Sequence, residues 1–392
     1  MEKLGIGIIG CGNISSTYLK LAPLFADIEI RAVADIDRSA ALARSEEYGV
    51  PALAVESLLN SKNVDIVVNL TVPGAHFEVS KQILEAGKHV YTEKPLVLSL
   101  DDGMELRRIA RDSGLRIGSA PDTFLGASHQ QARARIDEGI IGKVISATAH
   151  FMSRGMEHWH PNPDFFYLPG GGPVLDIGPY YITNLIQLIG PIRRVTSLSG
   201  APSATRTILA DCPRRGETIP VKTATNIHAL LEFHSGASVA LGASWDVWHH
   251  RHAHMEIYGT EGSLFLPDPN FFGGSIRFSG MNGSSSYLEC WDHPFGIPNE
   301  RNSELEPLAN YRAVGLADMA RAIIEDRPHR CSLEMALHAI DAMISILHAG
   351  NVREWIELTT SCERPDPLAP AEAQSLLASD QSSRRSLPES EL

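Results

Sequence analysis

Positive charge is scarce in this sequence. Across 392 residues, 34 lysines and arginines stand against 47 aspartates and glutamates, a formal net charge of -13. A surface for nucleic acid or an anionic membrane needs concentrated cations, so neither is an expected partner. Cysteine is scarce too. The five thiols, Cys11, Cys212, Cys290, Cys331 and Cys362, are scattered and odd in number, which suggests neither a disulfide framework nor a zinc site. No apolar run approaches the length that spans a bilayer. The N-terminus enters a strand pattern without a basic segment, an apolar stretch and a cleavage site, so a cytoplasmic protein is expected. Internal repeats are absent. The 43% hydrophobic and 21% charged content is that of an ordinary globular protein long enough for two domains.

The first third alternates strand and helix patterns. Apolar runs at Leu4–Ile9, Ile28–Ala34, Val64–Leu70, Lys88–Thr92 and Leu115–Ser119 read as strands. Helical periodicity lies between them, as at Ser39–Tyr48 and Ala75–Ala86, and Ser99 with Asp102 has capping-box spacing. Apolar strands alternating with helices mean a parallel sheet covered on both faces. The expected fold is therefore α/β, with a doubly wound domain over 1–121. Beyond it, a helix at Ser128–Gly139, a strand at Val144–Phe151 and a helix at Pro179–Leu188 lead into successive strands. These are Arg194–Ser199, Thr223–Phe233, Ser238–Trp248, His252–Gly259 and Ser263–Leu266, with helices near Ala313–Glu325 and Leu333–His348 after them. Short turns between sequential strands imply an α+β domain over 122–361 with a large, mostly antiparallel sheet. The remaining 362–392, rich in Pro, Ser, Asp, Glu and Arg, reads as a disordered tail.

The strand-to-helix turn Gly10-Cys11-Gly12-Asn13-Ile14-Ser15 carries the dinucleotide signal. Gly10 allows the tight turn, Gly12 lets a pyrophosphate approach the backbone, and Ser15 is a small residue where helix and strand pack. The phosphates would sit on the helix N-terminus at Asn13 and Ile14, where free N–H groups and the dipole favour an anion. An acidic residue is expected about 20 residues on, and Asp35 is there. Its carboxylate can accept both ribose hydroxyls and would repel a 2′-phosphate, so NAD is favoured over NADP. Arg38 nearby works against that preference, because its guanidinium could accept the phosphate.

A second motif, Glu93-Lys94-Pro95, follows the strand ending at Thr92. Further stretches accompany it in order: Asn69-Leu70-Thr71-Val72-Pro73 with His76, Ala86-Gly87-Lys88-His89-Val90, the run Gly170 to Gly178, and Tyr258-Gly259-Thr260-Glu261-Gly262. Together they resemble the glucose–fructose oxidoreductase / inositol dehydrogenase / MocA family over nearly the whole chain. The resemblance implies a Rossmann domain for NAD(P) and a second domain whose open sheet makes contacts in a homodimer or homotetramer. It implies an active site between the domains, a cis bond before Pro95, and cofactor contacts from Thr71, Pro73, His76, Glu93 and Lys94. Lys94 would hydrogen-bond the reacting oxygen, with its pKa lowered by the oxidised nicotinamide. Glu93 would orient Lys94 or the nicotinamide region.

Asp176-Ile177-Gly178-Pro179-Tyr180 matches the second catalytic segment of the family, with Tyr180 where many members carry His. Asp176 would hold substrate hydroxyls or cap a helix. Tyr180, acidified by Lys94, would relay the proton, and the general base stays open between Tyr180 and Lys94. Tyr181 is a lesser candidate. The loop His158-Trp159-His160 would present an aromatic platform and polar tips to a sugar. His250, His252 and His254 alternate along a predicted strand, but no carboxylate or cysteine accompanies them and no metal site is expected. Trp245 and Trp248 are unassigned. The expected activity is NAD-dependent oxidation of a secondary hydroxyl on a sugar, polyol or glycoside. Two alternatives use the same residues: a redox-neutral glycosidase or eliminase that oxidises the sugar transiently, and a non-catalytic NAD-binding sugar sensor.

Overall fold

The computed structural model describes residues 3–302 and 304–379. The first domain runs β1 (Leu4–Ile9), α1 (Asn13–Leu21), β2 (Ile28–Ala34), α2 (Arg38–Tyr48), α3 (Val55–Leu59), β3 (Ile66–Asn69), α4 (His76–Glu85), β4 (His89–Thr92), α5 (Leu100–Ser113) and β5 (Ile117–Ser119). Its five strands are all parallel in the order β2-β1-β3-β4-β5. The order reverses at β1, so the carboxyl ends of β1, β3 and β4 open onto one crevice. Local chemistry sets the helix ends: Asp37 caps α2 by accepting from Ser39 N, and Ser99 accepts from Asp102 N at the start of α5.

The chain then runs α6 (Ala127–Asp137), β6 (Val144–Met152), α7 (Pro173–Asp176), α8 (Gly178–Ile189), β7 (Ile192–Gly200), β8 (Thr205–Thr207), β9 (Thr218–Pro220), β10 (Asn226–Phe233), β11 (Ser238–Ser244), β12 (Met255–Gly259), β13 (Gly262–Leu266), β14 (Arg277–Gly280) and β15 (Ser285–Tyr287). It closes with β16 (Glu300–Arg301), β17 (Pro307–Leu308), α9 (Val314–Ile324), α10 (Leu333–Val352), β18 (Ile356–Glu357) and α11 (Pro370–Leu376). Nine of these strands form one sheet, β15-β14-β13-β12-β6-β11-β10-β7-β18, antiparallel except where β6 pairs with β11. Alternation along β10 buries Ile227, Ala229 and Leu231 and exposes His228 and Leu230. One face of this sheet is therefore core, against α8 and α10, and the other is open.

Four expectations need correction. The segment after Cys362 is folded as far as it is described. Leu368, Ala373 and Leu376 are buried, Leu368 N donates to Gln130, and Ala378 N donates to Leu24 O of the first domain. A polar composition hid a few apolar residues that suffice to dock α11. The part of the expected tail beyond 379 lies outside the described residues. The strand expected over Ser238–Trp248 ends at Ser244, and the next begins only at Met255, so His250, His252 and His254 lie in a loop and share no strand face. The hairpin β8–β9, unsuspected from sequence, encloses a satellite core of Met156, Phe166, Tyr167, Ile208, Ala210, Ile219 and Trp245. Finally, α10 is long and apolar enough to cross a membrane by length and composition, but it is mostly buried against β7 and α8 and serves as a core helix.

Candidate active site

The dinucleotide turn has the geometry its glycines require. Gly10 has φ +102°, and a Cβ there would lie 2.5 Å from the Leu70 carbonyl carbon, so no side chain fits. A Cβ on Gly12 would meet no protein atom within 4 Å, the open approach a pyrophosphate needs. Ser15 is fully buried and its hydroxyl donates to Gly12 O at 2.6 Å, which braces the turn onto α1. Asn13 and Ile14 open α1, directly after its N-cap Gly12. The carboxylate of Asp35 accepts from Cys11 N at 2.7 Å and Asp37 N at 2.8 Å, so it is locked at the end of β2. Arg38 is exposed at the start of α2.

Arg44, which no sequence signal marked, reaches from α2 to this turn, with Nε 3.1 Å from Ser15 Oγ. Ile36 is 99% exposed and Val72 71%, two apolar side chains left in water beside the turn. Such exposure at the flanks of a crevice suits the faces of an adenine ring.

Thr71 is tied to Asn69, its N and Oγ1 both donating to Asn69 Oδ1. Pro73 opens the short turn of 3₁₀-helix before α4. His76 is not available to a cofactor, contrary to expectation. It is buried, with Nδ1 2.7 Å from Pro95 O and Nε2 2.9 Å from Thr71 O. Burial pushes its pKa down, although both carbonyls favour a proton. A neutral ring can donate to only one of them, so His76 is a brace between two loops. Both Lys94–Pro95 and Ala120–Pro121 are cis.

Glu93 accepts from Tyr18 OH at 2.9 Å and from Lys94 N at 3.1 Å. Lys94 extends across to the second domain, where Nζ donates to Asp176 O at 2.7 Å and Oδ1 at 2.9 Å. The ammonium lies 5.2 Å from the centroid of the Tyr180 ring. Lys94, Asp176 and Tyr180, more than 80 residues apart at the extremes, thus converge at the end of β4. Asp176 ends α7 and Ile177 occupies the N-cap position of α8, so Asp176 is no helix cap. Burial opposes the Lys94 charge, but Tyr180, Asp176 and Glu93 outweigh it and hold the pKa above the ordinary lysine value. Among the protein's own groups the balance therefore keeps Lys94 an ammonium, opposite to the lowering expected from a cofactor charge.

The other substrate candidates sit elsewhere. Tyr181 is buried with its hydroxyl 2.9 Å from His254 Nδ1 and 3.2 Å from Asp268 Oδ1. His158 lines a 240 Å³ cavity with Arg154, Glu157, Arg206, Asp246 and Trp248, and neither Lys94, Asp176 nor Tyr180 borders it. His160 packs edge-on against Phe165 and Phe166, and Trp159 is 63% exposed. Trp245 fills the satellite core, whereas Trp248 is exposed and meets His158 edge to face. His252 stacks on His150 at 4.0 Å. Three further groups near Glu93 and Lys94 carry no local signal: Tyr18, Asp122 and Arg312. Burial pushes the Asp122 carboxyl up to about 6.

Comparison with known proteins agrees with this construction. Residues 4–120 match the oxidoreductase family with an NAD-binding Rossmann fold, and 129–265 match the GFO/IDH/MocA C-terminal domain. The chain is 27% identical over 254 residues to D-glucoside 3-dehydrogenase of Escherichia coli, covering 62% of this chain and 71% of that one. It is 31% identical over 177 residues to 1,5-anhydro-D-fructose reductase of Ensifer adhaerens, covering 44% and 52%. Among solved structures, an NAD binding oxidoreductase from Klebsiella pneumoniae superposes with a TM-score of 0.78 at 22% identity, over 92% of this chain and all of that one. Levoglucosan dehydrogenase in complex with NADH and L-sorbose does so at 0.75 and 19%, over the same shares.

Proposed function

The chain belongs to the Gfo/Idh/MocA family of NAD-binding oxidoreductases, and on that premise we propose that it oxidises a secondary hydroxyl of a sugar, polyol or glycoside. The observation that carries the reading is the convergence of Lys94 on Asp176 and Tyr180 at the mouth of the dinucleotide crevice. The names of the curated relatives, a glucoside dehydrogenase and an anhydrofructose reductase, support the substrate class.

Gly10, Gly12, Asn13, Ile14 and Asp35 would hold the cofactor, with Ile36 and Val72 flanking it and the Thr71–Pro73 and Glu93–Lys94 loops near its reactive end. NAD is preferred to NADP because Asp35 is already rigid, with lone pairs left for two hydroxyls. Arg44, paired with Glu47, is the group that would admit a 2′-phosphate. When bound, the nicotinamide supplies the acceptor or donor of a hydride. The protein manages the proton. Lys94 donates to the reacting oxygen and stabilises negative charge on it. Since its own neighbours keep Lys94 charged, Tyr180 is the group that passes the proton. Asp176 gives one oxygen to Lys94, and its other oxygen accepts a neighbouring sugar hydroxyl. Tyr181, with His254 and Asp268, shapes the pocket from behind. The His158-Trp159-His160 loop would touch only the far end of a longer glycoside.

The open sheet face, with Leu198 and Leu230 exposed beside a 340 Å³ groove, supports a homodimer or homotetramer, which light scattering would size. We place the protein in the cytoplasm, with no nucleic-acid or membrane partner; fractionation of cells tests this.

The test of function is NADH absorbance with NAD and NADP over a panel of glucosides, anhydro sugars and inositols, with product analysis. Stoichiometric NADH establishes the dehydrogenase. Product without net NADH moves the reading to a redox-neutral glycosidase or eliminase. Cofactor binding with no product on any substrate moves it to a sensor.

A further inference from the structure

The parallel strands β6 and β11 end side by side, at Met152 and Ser244. The chains that leave them stay paired: Ser153 N donates to Ser244 O at 2.8 Å, and Val247 N donates to Ser153 O at 3.0 Å. With the hairpin β8–β9 they enclose the 240 Å³ cavity that His158 lines.

The polar wall of this cavity is built and braced. Arg206 lies between two carboxylates, with Nη1 donating to Glu157 Oε1 at 3.1 Å and Nη2 donating to Asp246 Oδ1. The other oxygen of Glu157 accepts from Tyr167 OH, and that of Asp246 accepts from Thr225 Oγ1 at 2.7 Å. Glu157, Tyr167 and Thr225 are buried, so the network is held from behind. One donor is left over: Arg206 Nε is buried and has no hydrogen-bond partner among the described residues. A buried donor of this kind costs free energy until a ligand or an ordered water accepts from it. The apolar wall is Trp248, 75% exposed, whose ring meets that of His158 edge to face at 5.3 Å.

The chemistry of the walls selects the occupant. Arg154 and Arg206 balance Glu157 and Asp246, so the lining carries no net charge to draw an anion. Both carboxylates already serve Arg206, and no group of side chains among the described residues could hold a metal ion. A neutral ring with many hydroxyls fits. Each hydroxyl can donate to a carboxylate and accept from a guanidinium, and the flat C–H side of the ring suits an indole. The volume is below the roughly 300 Å³ at which small-molecule pockets begin, which admits one ring rather than a chain. The cavity also joins the reacting site through its supports. The segment that carries Tyr167 continues through Gly172, whose N donates to Phe166 O at 2.7 Å, into α7, which ends at Asp176. Helix α7 packs on β11, directly ahead of Trp245 and Asp246.

We propose that this cavity is a second sugar subsite, and that the substrate is a glycoside of two linked rings. One ring is oxidised beside Lys94, and the other is held by Arg206, Asp246 and Trp248. The role of the first ring rests on the dehydrogenase reading; the binding of the second does not.

Calorimetric titration of the full chain with saturating NADH tests this, since no hydride acceptor is then present and binding is read without turnover. The probes are cellobiose, maltose, trehalose and lactose, each against its component monosaccharides. At least one disaccharide is expected to bind on the order of tenfold more tightly than either component, and Trp248→Ala to erase that advantage. Arg206→Lys keeps a cation between the carboxylates but loses Nε, and is expected to lower the advantage in part. No disaccharide advantage, or one that survives in both variants, overturns the proposal. A disaccharide that binds through Trp248 yet yields no NADH from NAD removes the dehydrogenase reading and keeps the subsite. NADH from monosaccharides with no disaccharide advantage does the reverse.

Discussion

The two walls of the crevice are made in different ways. The cofactor wall is mostly backbone and near neighbours: Gly10, Gly12 and Ser15 lie within six residues, and Asp35 is held by the amides of Cys11 and Asp37. The opposite wall, where we propose the substrate binds, is side chains drawn from distant stretches, at Lys94 and at Asp176 with Tyr180. Beside it stands a lobe with its own small core around Trp245. A cofactor shared by many enzymes can be met by an invariant backbone shape. A substrate that differs between enzymes is better met by side chains on separable supports, since each can change without disturbing the turn that binds phosphate.

That contrast can be broken by experiment. The largest effect is expected at its centre: Lys94→Met should lower turnover on the order of 10²- to 10⁴-fold while NAD binding, followed by fluorescence quenching, is kept. Near-normal turnover would remove Lys94 from the mechanism. Trp245→Ala empties the satellite core and should cost about 3–5 kcal/mol in denaturant unfolding. If the lobe is a separable support, NAD affinity is unchanged; a parallel loss of cofactor binding would show that the two walls are one unit.

Asp122 links the walls, and its effect is a matter of pH. Burial raises its carboxyl to about 6 from 3.8. The folded protein therefore holds this proton more tightly than the unfolded chain. Its stabilising contribution is full below about pH 4 and is lost as pH rises through 6. Asp122→Asn keeps an acceptor for Gly315 N and removes that slope. The stability of wild type relative to the variant should fall by on the order of 3 kcal/mol over this window. Equal slopes would mean that Asp122 is ionised throughout.

The smallest effect belongs to the cofactor wall itself. Asp35→Ala removes charged acceptors worth about 1.5–3 kcal/mol, so NAD should bind roughly tenfold to hundredfold more weakly and NADP suffer less. An unchanged ratio of the two affinities would sink the assignment of Asp35 to the ribose.

Local features are legible in the sequence, and long-range ones are not, for physical reasons. The capping at Ser99, the Gly10 turn and the position of Asp35 depend on residues close in sequence, and all three read correctly. A histidine in a motif looks like a ligand, but both ring nitrogens of His76 face backbone carbonyls, Pro95 O and Thr71 O, which no local spacing shows. The histidines at 250, 252 and 254 look like one strand face because the alternation extends back before the true start of β12 at Met255. The segment beyond Cys362 looked disordered because its apolar residues are few, yet Leu368 and Leu376 are enough to dock it.

By itself the sequence determined the order of strands and helices in the first domain, the parallel sheet, the phosphate turn and the lysine at its mouth. Those follow from periodicity and from backbone conformations that only certain residues adopt. Only the tertiary structure decided that Lys94 meets Asp176, that Tyr18 steadies Glu93, and that Arg312 is held by Asn270 and Asn310. Apart from that of Asn310, these contacts join residues tens of positions apart. Their meeting depends on how helices and sheets pack, and no local spacing encodes it.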